Sequence, residues 1–286
     1  MSRPPLPRGA VERKVLRLGR GAPEELLDAV AEEEPLEIRV DGEAVAVTMR
    51  TPGHDGELSL GFLFAEGMIA SAADVGSAAH CGRPGEEGYG NVIDVRSAAG
   101  QPIVVERVLE SRRWAVTTSA CGVCGRQSVD GLVQRCGVVG RAVRLAPEVV
   151  STALAALARS QPVFARTGGL HGAAAFDASG RLLAAREDVG RHNAVDKVVG
   201  WLLREGRLGA GGEGAPALLA VSGRSSFELV QKAAAAGIPV LAGVSAPSSL
   251  AVDLAERAGV TLVGFVRGAA LNVYAHAERI AVPPPA

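Results

Sequence analysis

The chain has 286 residues, of which 48% are hydrophobic, 21% charged and 3% aromatic, and its formal net charge is -1. This is a globular composition, long enough for one large domain or two small ones. Near-neutrality excludes a general electrostatic hold on nucleic acid or on an anionic membrane surface, and the scarcity of rings argues against base stacking. Neither nucleic acid nor membrane is an expected partner, so any anion site has to be local.

The opening MSRPPLPRGAVERK holds four Arg or Lys and three Pro but no apolar run. Residues 1–10 therefore read as a frayed tail rather than a signal peptide or spanning helix, and residues 281–286 as a second tail. With no export signal, the four cysteines are expected as reduced thiols in the cytoplasm. From Val11 to about Leu109 short strand-like runs dominate. In LEIRVDGEAVAVTM, Asp41-Gly42 between alternating apolar positions predicts a hairpin. In HDGELSLGFLFAEGMI, Leu58, Phe62, Leu63 and Met68 recur at roughly helical spacing. Residues 11–145 are thus expected to form a small α+β unit, carrying a loop over 111–128.

Over 146–280 helix and strand patterns alternate. PEVVSTALAALARSQ predicts a helix opened by Pro147, and VGRHNAVDKVVGWLLREG one ended by Gly206. ALLAVSG, IPVLAGVSA and VTLVGFVRG are continuous apolar runs interleaved with the helical SSFELVQKAAAAG and SSLAVDLAERAG. The expected architecture is an α/β domain with a largely parallel sheet. The intervening GAGGEG follows a helix rather than a strand, so it is not a dinucleotide fingerprint.

Ligands of such sheets lie beyond the carboxyl ends of the strands. There stand Ser222, Gly223, Arg224, Ser225 and Ser226, then Ser245, Ser248 and Ser249, then Arg267, Gly268 and Asn272. Free backbone N–H groups, hydroxyls and two arginines suit a phosphate or pyrophosphate. Ser225 and Glu228 also have capping-box spacing, so capping and anion binding both remain open. A second patch, REDVGRHNAVDK, places Glu187, Asp188, His192 and Asn193 toward the same crevice, and helix periodicity assigns Lys197 to solvent. His171 follows two glycines at another turn, as a crevice residue or as a satisfied core histidine.

TTSACGVCGRQS holds Cys121 and Cys124. Four cysteines scattered at random over such a length would give a C-x-x-C pair about once in twenty sequences, so the pair has a purpose. A zinc knuckle lacks a second ligand pair. A thioredoxin-type centre needs the pair at a helix start, where glycines and polar residues stand instead. A sulfur carrier needs a thiolate on a mobile loop, which Gly122, Gly125 and the nearby Arg112, Arg113 and Arg126 favour. Cys81 and Cys136 read as structural or incidental.

TTSACGVCG, TGGLHGAAAF, REDVGRHNAVDKVVG, the long block VSGRSSFELVQKAAAAGIPVLAGVSAPSSLAVDLAERAGVTLVGFVRG and NVYAH, with TPGHDGELSLGFLFAEGMI before them, resemble the FdhD family over nearly the whole chain. These are accessory sulfurtransferases of formate dehydrogenase. The resemblance implies that sulfur is taken from a cysteine desulfurase as a persulfide on Cys121, with Cys124 as partner thiol. It is then passed to bis-molybdopterin guanine dinucleotide before that cofactor enters formate dehydrogenase. The family's cofactor-binding segment falls on Phe265, Val266, Arg267, Gly268, Ala269 and Ala270. Ser222, Arg224, Ser225, His171 and His192 join it from the crevice, guanine nucleotides are expected mimics, and no metal site is expected.

The implied fold is a cytidine-deaminase-like three-layer core with a largely parallel sheet beside the smaller N-terminal unit, and the implied assembly is a homodimer. Deaminase activity is not expected, because H-x-E and P-C-x-x-C are missing. The alternative function is a non-catalytic molybdenum-cofactor-binding chaperone.

Overall fold

A computed structural model describes residues 5–19, 21–83, 85–86, 89–103, 137–209 and 214–281. The expectations for Cys121, Cys124, Cys136 and the loop over 111–128 lie outside the described residues.

Strands β1 (Ala10–Arg17) and β2 (Glu24–Ala31) form an antiparallel ribbon. Strands β3 (Glu34–Val40) and β4 (Glu43–Arg50) pair through Asp41-Gly42, at φ 50° and 88°. Two positive φ values make this a type I′ turn, whose twist matches that of the strands. Strands β5 (Val75–His80) and β6 (Val92–Ser97) complete a sheet of order β4-β3-β6-β5. Helix α1 (Asp55–Ala65) lays Leu58, Leu60 and Leu63 over Leu36, Ile38, Ile93 and Val95 of that sheet.

The larger sheet contains β7 (His171–Phe176), β8 (Leu182–Asp188), β9 (Leu218–Val221), β10 (Val240–Gly243), β11 (Thr261–Arg267) and β12 (Ala270–Ala275), in the order β12-β11-β10-β9-β7-β8. Only β9, β10 and β11 run parallel; β7/β8, β7/β9 and β11/β12 are antiparallel. The expected largely parallel sheet is therefore corrected to a mixed one. The turns after Phe176 and Arg267 are too short for a crossover, and a tight turn returns a strand antiparallel.

Helix α2 (Pro147–Arg159) covers one face of this sheet, as its opening proline predicts. The short α3 (Pro162–Thr167) follows. Helices α4 (Arg191–Arg204), α5 (Phe227–Ala235) and α6 (Ser249–Ala258) cover the other face. Side chains alternate strictly between the two cores: Leu219, Val221 and Leu241 face α4 to α6, while Leu218, Ala220 and Val240 face α2. Each fully buried leucine or valine contributes about 1.5–3 kcal/mol, so this two-sided burial is what fixes the three layers.

Helices α1 and α4 cross at glycines. A Cβ on Gly61 would overlap the Asp196 carbonyl, and one on Gly200 the Glu57 carbonyl. Around the crossing, charges are buried and matched. Lys197, 1% exposed, lies 2.7 Å from Asp188 and donates to the Thr51 and Glu187 carbonyls. Its expected place in solvent is corrected, because a tertiary partner that no helical period reveals holds it inside. Lys232 lies 2.6 Å from Asp196. Burial pushes the Asp196 carboxyl up, to about 6, against the pull of Lys232. Among the described residues no helix is long and apolar enough to cross a membrane.

Candidate functional site

The carboxyl ends of β9, β10 and β11 meet the start of β7 and the end of β8 at one edge of the mixed sheet. Antiparallel pairing is what brings β7 there: Ala173 is registered with Val221, so His171 and Gly172 flank the turn that follows β9. Ser222 is locked to Gly172 twice, its N–H donating to the Gly172 carbonyl (3.0 Å) and its hydroxyl accepting from the Gly172 N–H (2.8 Å). Main-chain bonds then stitch the loops together. Ser225 N–H donates to Ala246 O, Ser248 N–H to Ser225 O, and Phe265 N–H to Ser245 O. The edge is thus held largely by its backbone, which presents the side chains around it in fixed positions.

Arg224 and Arg267 are exposed there, and neither makes a hydrogen bond or ion pair among the described residues. Gly268 and Ala269 form the tip of the β11–β12 hairpin, with Ala270 opposite Arg267 and Val266 buried beneath. Phe265 sits at a bulge with φ 51° and is 38% exposed. A non-glycine residue in the left-handed region costs on the order of 1 kcal/mol, so the surrounding bonds hold this ring outward against its backbone preference.

His192, in the first turn of α4, lies 2.8 Å from a Glu228 carboxylate oxygen and 3.1 Å from the Ser226 hydroxyl. The expected capping box is corrected accordingly. Ser226, not Ser225, is the N-cap of α5, and Glu228 turns to the histidine. Ser225 is drawn out of the cap by its bridge to Pro247, which leaves its buried hydroxyl with no partner among the described residues. Ser248 does act as a cap, accepting from the Ala251 N–H.

His171 is half-buried. Burial, then the charges of Arg191 and His192, hold its imidazole below the ordinary histidine value. Glu187 and Asp188 do not serve the crevice. Glu187 accepts from the Val163 and Phe164 N–H groups at the start of α3, and Asp188 accepts from Thr51, Gly190 and Asn193 besides pairing with Lys197.

The structure therefore gathers His171, His192, Ser222, Arg224 and Ser225 with the Phe265–Ala270 hairpin on one edge. It adds Arg191 and Glu228, which the sequence offered only as part of a charged helix start and as a capping-box partner, and it keeps Gly223 at the strand end where the sequence put it. Their signal was present in S-G-R-S-S after a strand and in R-H-N opening a helix. Cys81 stands apart, half-buried after β5.

The FdhD/NarQ family matches residues 31–281. The chain belongs to the FdhD/NarQ family. It is 62% identical to the sulfur carrier protein FdhD of Anaeromyxobacter sp. (strain K) over 282 residues, 98% of this chain and 96% of that one. It is 50% identical to the sulfur carrier protein FdhD of Nocardia farcinica, covering 96% of this chain and 95% of that one. A crystal structure from Desulfotalea psychrophila, described as a formate dehydrogenase accessory protein, superposes with a TM-score of 0.70 at 27% identity. The match covers 97% of this chain and all of that one. The FdhD/NarQ membership rests on these full-length matches, and the mixed sheet with its stitched edge is the fold on which this member carries its side chains.

Proposed function

We propose that this chain is a sulfur carrier that serves formate dehydrogenase by delivering sulfur to its molybdenum cofactor. The observation that carries the reading is full-length similarity to sulfur carrier proteins FdhD together with an edge rich in unanswered hydrogen-bond donors. Cys121 thiolate attacks the outer sulfur of a cysteine desulfurase persulfide. One S–S bond forms as another breaks, the desulfurase cysteine leaves as thiolate, and Cys121 becomes the persulfide. The substrate, bis-molybdopterin guanine dinucleotide, docks at the sheet edge. Arg224 and Arg267 meet its phosphates, and Ser225, Phe265 and the Gly268 hairpin meet the rest of the nucleotide.

Cys124 then attacks the inner sulfur of the persulfide. The outer sulfur departs as sulfide toward molybdenum, and the two thiol electrons it takes leave a Cys121–Cys124 disulfide. In the same reading the six-stranded unit is cytidine-deaminase-like, and two copies of the chain work as a homodimer with formate dehydrogenase as the final recipient.

The edge suits such a substrate on its own chemistry. Buried Arg191 Nε and Ser225 Oγ lack partners among the described residues, and a side chain at 223 would crowd the His171 ring, so glycine keeps that ring close to the turn. The test is intact-protein mass spectrometry after incubation with a cysteine desulfurase and cysteine. One reducible sulfur atom gained by the wild type and none by Cys121→Ala is the expected result. No adduct on either protein would overturn the carrier step and leave a chaperone that only escorts the cofactor.

A further inference from the structure

We propose that His171 and Arg191, on either side of Gly223, form a phosphoryl subsite in which docking of a phosphate is coupled to uptake of one proton by the His171 ring. The inference rests on the reading of this edge as a nucleotide-cofactor site and assigns it a subsite and a charge balance.

Gly223 follows β9, and a Cβ built on it would stand 3.3 Å from His171 Nδ1 and 3.9 Å from Arg191 Cδ. Both side chains thus lie against the same residue, whose missing Cβ lets the His171 ring stand close to the turn. His171 makes no ring hydrogen bond among the described residues, although it is half-buried. Arg191 Nε is buried without an acceptor among the described residues. A buried donor left unpaired is unfavourable, and more so on a charged group, so Arg191 and the unbonded His171 ring beside it call for an acceptor-rich ligand.

The groups that face His171 fix the sign of the coupling. Arg191 and His192 approach from the start of α4, Arg224 from the turn after β9, and Asp188 from the end of β8. The Asp188 carboxylate is already matched by Lys197 at 2.7 Å, and His192 has the Glu228 carboxylate at 2.8 Å, so it is Arg191 and Arg224 that leave the surroundings of His171 cationic on balance. Burial and these charges favour the neutral ring. A phosphate oxygen placed between Arg191 and His171 reverses that preference, because a nearby negative charge favours the charged imidazolium. The ring then takes one proton from solvent and donates it in a hydrogen bond to the phosphate. No covalent bond forms or breaks.

The experiment is titration calorimetry of the full chain with guanosine diphosphate at pH 7.5, repeated in two buffers of different ionisation enthalpy. That pH lies above the second phosphate pKa of about 6, so the ligand itself takes up few protons. The expected result is uptake approaching one proton per nucleotide by the wild type and none by His171→Asn. Wild-type affinity should fall by up to about tenfold per pH unit above neutrality, while His171→Asn stays flat. Inorganic pyrophosphate should draw the same proton, and guanosine none. Arg191→Gln should weaken binding of both phosphate ligands.

Nucleotide binding without proton uptake, uptake retained by His171→Asn, or uptake with guanosine would each overturn the subsite while leaving the cofactor reading in place. Guanosine diphosphate failing to bind at all would overturn that reading, and the subsite with it.

Discussion

At the crossing of α1 and α4, Lys197 has Asp188 at 2.7 Å and Lys232 has Asp196 at 2.6 Å, all four side chains buried. At the edge of the six-stranded sheet, Arg224 and Arg267 reach solvent, and Arg191 Nε and Ser225 Oγ are buried with no partner among the described residues. Polar and charged side chains do opposite work in the two places. Desolvated charges at the crossing are answered within the chain and so hold the two units together. Those at the edge are left unanswered by a rigid backbone, which is the arrangement a ligand completes.

The sharpest way to break this contrast is to unmatch the crossing. Lys197→Met leaves Asp188 charged and buried, and should cost about 3–5 kcal/mol in urea unfolding. A loss below about 1 kcal/mol would show that the pair is not what secures the crossing. Gly200→Ala forces the helices apart against the Glu57 carbonyl and should cost about 1–3 kcal/mol or more, with α1 losing amide-exchange protection first. The edge should answer differently. Arg224→Ala or Arg267→Ala is expected to weaken binding of guanosine diphosphate by about tenfold each, with an unchanged unfolding midpoint. A shifted midpoint would make these arginines part of the scaffold.

The smallest effect is in acid. Burial alone would raise the Glu57 carboxyl, but hydrogen bonds from His54 and Arg186 and their charges lower it to about 2. Its folded value lies below the ordinary carboxylate value of 4.5, so its contribution is complete above that pH and is lost as pH falls toward about 2. Glu57→Gln should flatten the acid limb of a stability–pH curve over that window. An unchanged limb would assign acid unfolding to other carboxylates.

Much of this was legible before any coordinates. The Asp41-Gly42 turn, the helix opened by Pro147 and the apolar runs of β9 to β11 each carry a local signal that the fold obeys. Three features were not legible, for separable reasons. Continuous apolar strands look alike whichever way they pair, so the antiparallel β7, β8 and β12 had to be read from their turns. Lys197 stands on a helix whose period cannot announce that Asp188 and Thr51 will close over it. Ser225 and Ser226 are equal capping candidates in sequence, and the bridge to Pro247 chose between them. The edge residues themselves were found because sheet geometry dictates where strand ends lie, whereas Arg191 matters through a buried Nε whose surroundings no local pattern announces.

The glycine crossing also bears on how the chain is made. Helix α1 ends at Ala65 and α4 begins at Arg191, so roughly 125 residues separate them, or about 6 to 25 seconds of translation. Until α4 leaves the ribosome, the flat flank of α1 at Gly61 has nothing to lie on, and the core of the four-stranded sheet lacks Leu203. The nascent N-terminal half therefore waits with an apolar surface uncovered. It is expected to be a chaperone client until Arg191–Arg204 emerges.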